Sequence, residues 1–111
     1  MLDVLPCEND LLLRVAGGDE HAFSELFNTH HQLLGTHIYR ITGSAELAEE
    51  VVQDVFLKIW LSRESLAAVQ HFRAYLFVIS KNHALNCLRK LAKERLRQKT
   101  IEENAMVLIP E

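Results

Sequence analysis

The sequence predicts an all-α protein, a compact bundle of about four helices. Three observations carry this. Apolar residues recur at i, i+3, i+4 and i+7 through most of the chain. Only 4 glycines and 2 prolines interrupt 111 residues, and Gly17, Gly18 and Gly43 fall where helices should end. The 49% apolar and 24% charged residues are the proportions of an ordinary globular domain, and a chain this long buries one core without disulfides or metal.

The elements follow in order. Asn9-Asp10 before Leu11-Leu12-Leu13 reads as an N-cap and first-turn acid, and Gly17-Gly18 ends a short first helix. Asp19 caps a second helix with the apolar positions Phe23, Leu26, Phe27, Leu33, Leu34, Ile38 and Ile41. His30 and His37 share that face, and Gly35 within it is expected to let another helix approach closely. Gly43 stops the second helix and Ser44 caps a third. Its stripe is Leu47, Ala48, Val51, Val52, Val55, Phe56, Ile59 and Trp60. Residues 63–70 break the pattern and read as a loop. His71-Phe72 begins a fourth helix that reaches about Gln98, with Leu76, Ile79 and Leu91 on its apolar side. Residues 9–99 thus form the domain, and 100–111, ending in Pro110-Glu111, read as the start of a linker or a frayed tail.

Several classes are excluded early. No apolar run approaches the roughly 18 residues of a membrane span. The acidic N-terminus lacks the basic region of a secretory signal. Cys7 and Cys87 lie 80 positions apart with no CxxC spacing, which fits reduced thiols and a cytoplasmic location. There is no glycine-rich phosphate loop, HExxH pair or nucleophile elbow. His30, His31 and His37 have no carboxylate at ligand spacing and read as core or boundary histidines, and Cys87 as a small buried hydrophobe. Catalysis is not expected, and no cofactor is implied.

Charge is the informative quantity. Residues 1–57 hold 10 acids and 2 bases, and residues 58–100 hold 10 bases and 2 acids. The overall net charge of −3 conceals this division, which suggests one basic and one polyanionic partner. On the third helix Glu46, Glu49, Glu50 and Gln53 fall within an arc of about 100°, with Asp54 at its margin. Like charges at this spacing repel, so the ridge suits a basic protein partner better than it suits the helix. On the fourth, Tyr75, Asn82, Asn86, Arg89 and Lys93 project within about 60° of one another. Lys81, Lys90, Arg95, Arg97 and Lys99 add charge around them. Cations attract phosphate, amides read base edges and an aromatic ring stacks on an unpaired base. Solvated helix faces are the plain alternative for both stripes.

The run from Ala45 to Trp60 resembles region 2.2 of bacterial RNA polymerase sigma factors of the extracytoplasmic-function (ECF) group. The run from Phe72 to Lys90 resembles regions 2.3 and 2.4, and residues 11–41, with Gly-Asp-Glu-His-Ala-Phe at 18–23, resemble region 2.1. The resemblance covers about residues 9–99, in the expected order and separations. It implies a non-enzymatic transcription initiation factor. Region 2.2 would dock on the β′ coiled coil of core RNA polymerase through Glu46, Glu49, Glu50, Gln53 and Asp54. Regions 2.3 and 2.4 would melt the promoter minus-ten element and hold its non-template single strand. The matching positions are the 63–71 loop, Tyr75, Lys81, Asn82, Asn86 and Arg89.

An anti-sigma factor is a further implied partner, and membrane insertion is not implied. Two positions depart from the pattern: Lys81 stands where arginine is frequent, and His83 where an apolar residue is usual. The chain ends where the family's linker begins, so the domain that reads the minus-thirty-five element lies outside this sequence, whether the sequence is a fragment or a stand-alone region 2. The rival readings are a helical adaptor that binds polymerase or another basic partner without DNA, and an enzyme with a metal on His30 and His37.

Overall fold

The computed structural model describes residues 8–108. Cys7 and the terminal segment containing Pro110 lie outside the described residues. Four α-helices follow one another: α1 (Glu8–Ala16), α2 (Glu20–Thr42), α3 (Ala45–Leu61) and α4 (Phe72–Leu108). A 3-10 helix, Arg63–Ala68, joins α3 to α4. The all-α bundle expected from periodicity is therefore the architecture found.

Local chemistry sets most of the boundaries. The Asp19 carboxylate accepts the Ala22 backbone N–H at 3.1 Å and also meets Arg14, 3.1 Å away. The Ala22 bond, ahead of the arginine, holds this carboxyl below its usual range. Its contribution to the folded state is therefore present above the ordinary carboxylate range and lost as pH falls through the lowered value. Gly43 ends α2 at φ +70°, its N–H bonding the Tyr39 carbonyl, and Ser44 caps α3 by accepting the Leu47 N–H at 3.1 Å.

Three boundaries differ from expectation. Helix α1 already includes Glu8, so Asn9 lies in its first turn; the Glu8 carboxylate reaches His30 at 2.8 Å and draws that turn onto α2. The segment expected as a loop at 63–70 is mostly 3-10 helix, pinned by buried Leu66 and by Arg63, which donates to the Trp60 carbonyl and lies over its ring. Helix α4 passes Gln98 and continues to Leu108. No glycine or proline interrupts residues 99–109, and the absence of tertiary periodicity does not prevent a run of good helix formers from staying helical. From Arg89 to Ala105 every residue of α4 is exposed, so this half projects from the bundle and stretches the molecule to 77 Å.

The core lies where α2 packs on both α3 and α4, and α1 closes the end of the bundle against the 3-10 helix. Leu26, Leu34 and Ile38 of α2 meet Val51, Val55, Phe56 and Ile59 of α3, with Phe72 and Leu76 of α4 beneath. The Phe56 ring meets Phe27 edge-on at 4.9 Å and Phe23 at 6.1 Å, geometries that add to the area term. Two residues assigned to apolar faces point outward instead: Leu33 is 46% and Leu91 43% exposed. Leu91 lies on α4 past Cys87, the last α4 residue packed on the core among the described residues.

Gly35 does not mark a close helix approach. A Cβ there would meet only Val52 Cγ2, at 4.0 Å, which is ordinary contact. The two helix glycines should therefore respond oppositely to alanine. Gly35→Ala is expected to stabilise the protein by up to about 1 kcal/mol through helix propensity. Gly43→Ala should destabilise it by about 1 kcal/mol, because a side chain at φ +70° is strained. Urea unfolding followed by circular dichroism measures both, and a loss at Gly35 would show that the α2–α3 approach is tighter than 4.0 Å allows.

Candidate polymerase and nucleic-acid interfaces

Burying Val51, Val52, Val55, Phe56 and Ile59 leaves α3 one free face, and the expected acidic residues occupy it. Glu46, Glu49, Glu50, Gln53 and Asp54 are all exposed. They are not equivalent. Glu49 and Gln53 form the α3 rim of a groove of about 630 Å³ between α2 and α3, whose floor includes Phe27, Gly35 and Val52. Glu46 and Glu50 stand clear of it. Asp54 turns to α4, where His83 Nε2 lies 3.3 Å from its carboxylate.

Leu57 completes this face. At 100° per residue it falls in the middle of the acidic arc, and it is 56% exposed, with Leu61 one turn on at 71%. An apolar centre rimmed by charge is the usual anatomy of a protein–protein interface. The helical wheel contains this signal, but an apolar residue among so many others is easily assigned to the core.

Helix α4 brings Asn82, Asn86, Arg89 and Lys93 to the surface as one stripe. Arg89 Nη1 donates to Asn86 Oδ1 at 2.8 Å, so the amide acceptor of Asn86 is engaged and its N–H groups remain available. Tyr75 belongs to the stripe by angle but is half-buried against the core, its ring centroid 6.3 Å from that of Phe72. Only part of the ring is free to stack. Lys81 is exposed about 100° around the helix from Asn82 and lies outside the stripe. At the α3–α4 connection, Leu61, Ser62, Arg63, Glu64 and Ser65 line a polar recess of about 360 Å³.

His30, His31, His37 and Cys87 have structural surroundings. His30 is buried between the Glu8 carboxylate and the Phe72 ring edge. His31 stacks on Phe27, and His37 on Phe77 at 4.6 Å. Cys87 is half-buried against the core. Among the described residues no three His, Cys, Asp or Glu side chains converge on a metal position, and no helix is long and apolar enough to cross a membrane.

The structure thus presents a helical domain with an acidic, apolar-centred face on α3 and a basic, amide-bearing face on α4. Comparison with known proteins names its kind. The chain matches the Sigma-70 region 2 family model over residues 26–94 and belongs to that family. It is 33% identical over 73 residues to the ferric citrate uptake sigma factor FecI of Escherichia coli, covering 66% of this chain and 42% of that protein. It is 25% identical over 77 residues to the ECF RNA polymerase sigma factor SigW of Bacillus subtilis, covering 69% and 41%. With the ECF RNA polymerase sigma factor SigG of Mycobacterium tuberculosis it shares 35% over 66 residues, 60% of this chain and 18% of the other. The chain therefore spans less than half the length of these relatives. No solved structure matches it.

Proposed function

We propose that this chain is the region 2 part of an ECF sigma factor, a non-enzymatic transcription initiation module that joins core RNA polymerase to promoter DNA. Membership of the Sigma-70 region 2 family supports the general role. The finer assignment rests on one observation: opposite charges segregate onto two different exposed helix surfaces, acidic on α3 and basic on α4. A single-partner adaptor has no use for the second face.

In this reading the β′ coiled coil of polymerase docks on α3. Leu57 and Leu61 supply apolar contact, and Glu46, Glu49, Glu50, Gln53 and Asp54 supply complementary charge and orientation. The non-template strand of the minus-ten element runs along α4. Its phosphates meet Arg89 and Lys93, with Lys81 at the flank, and a base edge meets the Asn82 and Asn86 amides. The exposed part of Tyr75 offers a stacking surface, and the recess between Leu61 and Ser65 is the candidate receiver for an unstacked base. The duplex opens because its separated strand is held better than its paired one. An anti-sigma factor that regulates the module would cover one of these two faces. Helical residues 100–108 would begin the connection to a further domain.

Two tests follow. Glu50→Lys with Asp54→Lys should weaken binding to a β′ coiled-coil fragment by about 2–4 kcal/mol, and Leu57→Ser should weaken it by about 1–2 kcal/mol. Unfolding midpoints should hardly move, since all three side chains are exposed. Calorimetric titration measures this, and unchanged affinity in both variants removes α3 as the docking face.

On the other side, Asn82→Ala should cost about 1–3 kcal/mol and relax sequence preference. Arg89→Ala should weaken all sequences alike and flatten the salt dependence by about one ion. Fluorescence anisotropy with minus-ten and scrambled single strands across a salt series separates the two. Equal or tighter binding of matched duplex by the unaltered protein would refute the melting role.

A further inference from the structure

Asp54 and Lys58 stand four residues apart on α3, acid before base, the arrangement in which such a pair ordinarily closes on itself. Here they do not meet. His83 of α4 stands between them, its Nε2 3.3 Å from Asp54 Oδ2 and its Nδ1 3.3 Å from Lys58 Nζ. A lysine ammonium only donates, so Nδ1 accepts and Nε2–H donates to the carboxylate. The imidazole is thus oriented by both neighbours, one on each side. Among the described residues Asp54 forms no ion pair with a lysine or arginine.

The consequence for Lys58 is geometric. It lines two adjoining recesses between α3 and α4, of about 210 and 310 Å³, together with His83 and Asn86. The larger also takes in Arg89, Lys90 and Lys93 of α4. The charged and titratable groups at this junction are therefore Asp54 and Lys58 from α3, and His83, Cys87, Arg89, Lys90 and Lys93 from α4. Among the described residues no carboxylate lines the larger recess, and the Asp54 carboxylate is held by His83 Nε2. Four cations and the Asn86 amide line this recess with no carboxylate in the lining, a composition that suits a phosphate oxygen.

We propose that His83 is a wedge that holds Lys58 away from Asp54, so that Lys58 joins Arg89 and Lys93 in binding a backbone phosphate of the nucleic acid strand. The assignment rests on the reading of α4 as the nucleic-acid face and adds to it a cation from α3. Asp54 is engaged by His83, and Lys58 is kept for the strand instead of neutralising Asp54. Lys58 is the contact residue and His83 a positioning residue.

The test uses the full 111-residue chain, a labelled single-stranded oligonucleotide, and a second strand with the same phosphodiester backbone but no bases, each titrated across a salt series. Lys58→Gln should reduce the slope of log affinity against log salt by about 0.7 on both strands, as expected for one lost contact. Asn82→Ala should weaken only the strand that carries bases. His83→Leu should lower the slope as much as Lys58→Gln, the double variant should lower it no further, and adding Asp54→Asn to His83→Leu should restore it. Circular dichroism confirms that each variant is folded.

A wild-type slope for Lys58→Gln beside a reduced slope for Arg89→Ala overturns the proposal and leaves the α4 reading standing. Wild-type slopes for both variants overturn the α4 reading as well. A wild-type slope for His83→Leu, or no recovery with Asp54→Asn, refutes the wedge.

Discussion

Everything this molecule presents to a partner depends on how α3 is buried. Phe56 sits against Phe23 and Phe27 of α2, while Val51, Val55 and Ile59 fill the space between α2 and α4. That packing uses one side of a 17-residue helix completely and fixes its rotation about its own axis. A rotated α3 would expose valines and bury glutamates, at a cost of several kcal/mol for each unpaired charge. The acidic ridge is therefore held outward by the apolar residues behind it, which themselves touch no partner.

The same core separates the two charge populations. Helix α3 carries Glu46, Glu49 and Glu50 outward, with Asp54 turned to His83 of α4, and α4 carries most of its cations from Arg89 onward, past its last core residue, Cys87. From Arg89 to Ala105 every residue of α4 is exposed, so its basic side chains stand largely open to solvent. Potentials of opposite sign on distinct surfaces favour two partners of opposite charge and discourage either partner from occupying the wrong face. Where the two populations come nearest, at Asp54 and Lys58, a histidine is interposed.

Much of this was legible in the residues. Asp19, Gly43 and Ser44 act as caps because their side chains or backbone freedom satisfy helix ends locally, and such signals need no distant contact. The outward acids of α3 and the amide-bearing stripe of α4 follow from 100° per residue alone. What stayed hidden depended on neighbours. Gly35 was expected to admit a close helix, but Val52 stands off at 4.0 Å. Tyr75 was expected to be free, but Phe72 and the core claim part of its surface. Residues 63–68 lack periodicity because a 3-10 helix has none of the 3.6-residue pattern, and Leu66 and Arg63 hold it by contacts outside its own sequence.

The sequence by itself determined the helical class, the caps, the two charged stripes and the resemblance to region 2, because each is a property of residues within a turn or two of one another. Only the tertiary structure decided which stripe residues are free and which are engaged. Glu8 is committed to His30, Asp54 to His83 and Asn86 to Arg89. The first two of these pairs join residues 22 and 29 positions apart, and their geometry depends on helices crossing at a particular angle and depth. Lys58 became part of the α4 surface for the same reason. Its position on the wheel of α3 is a local fact, but what that position faces is set by the packing of another helix.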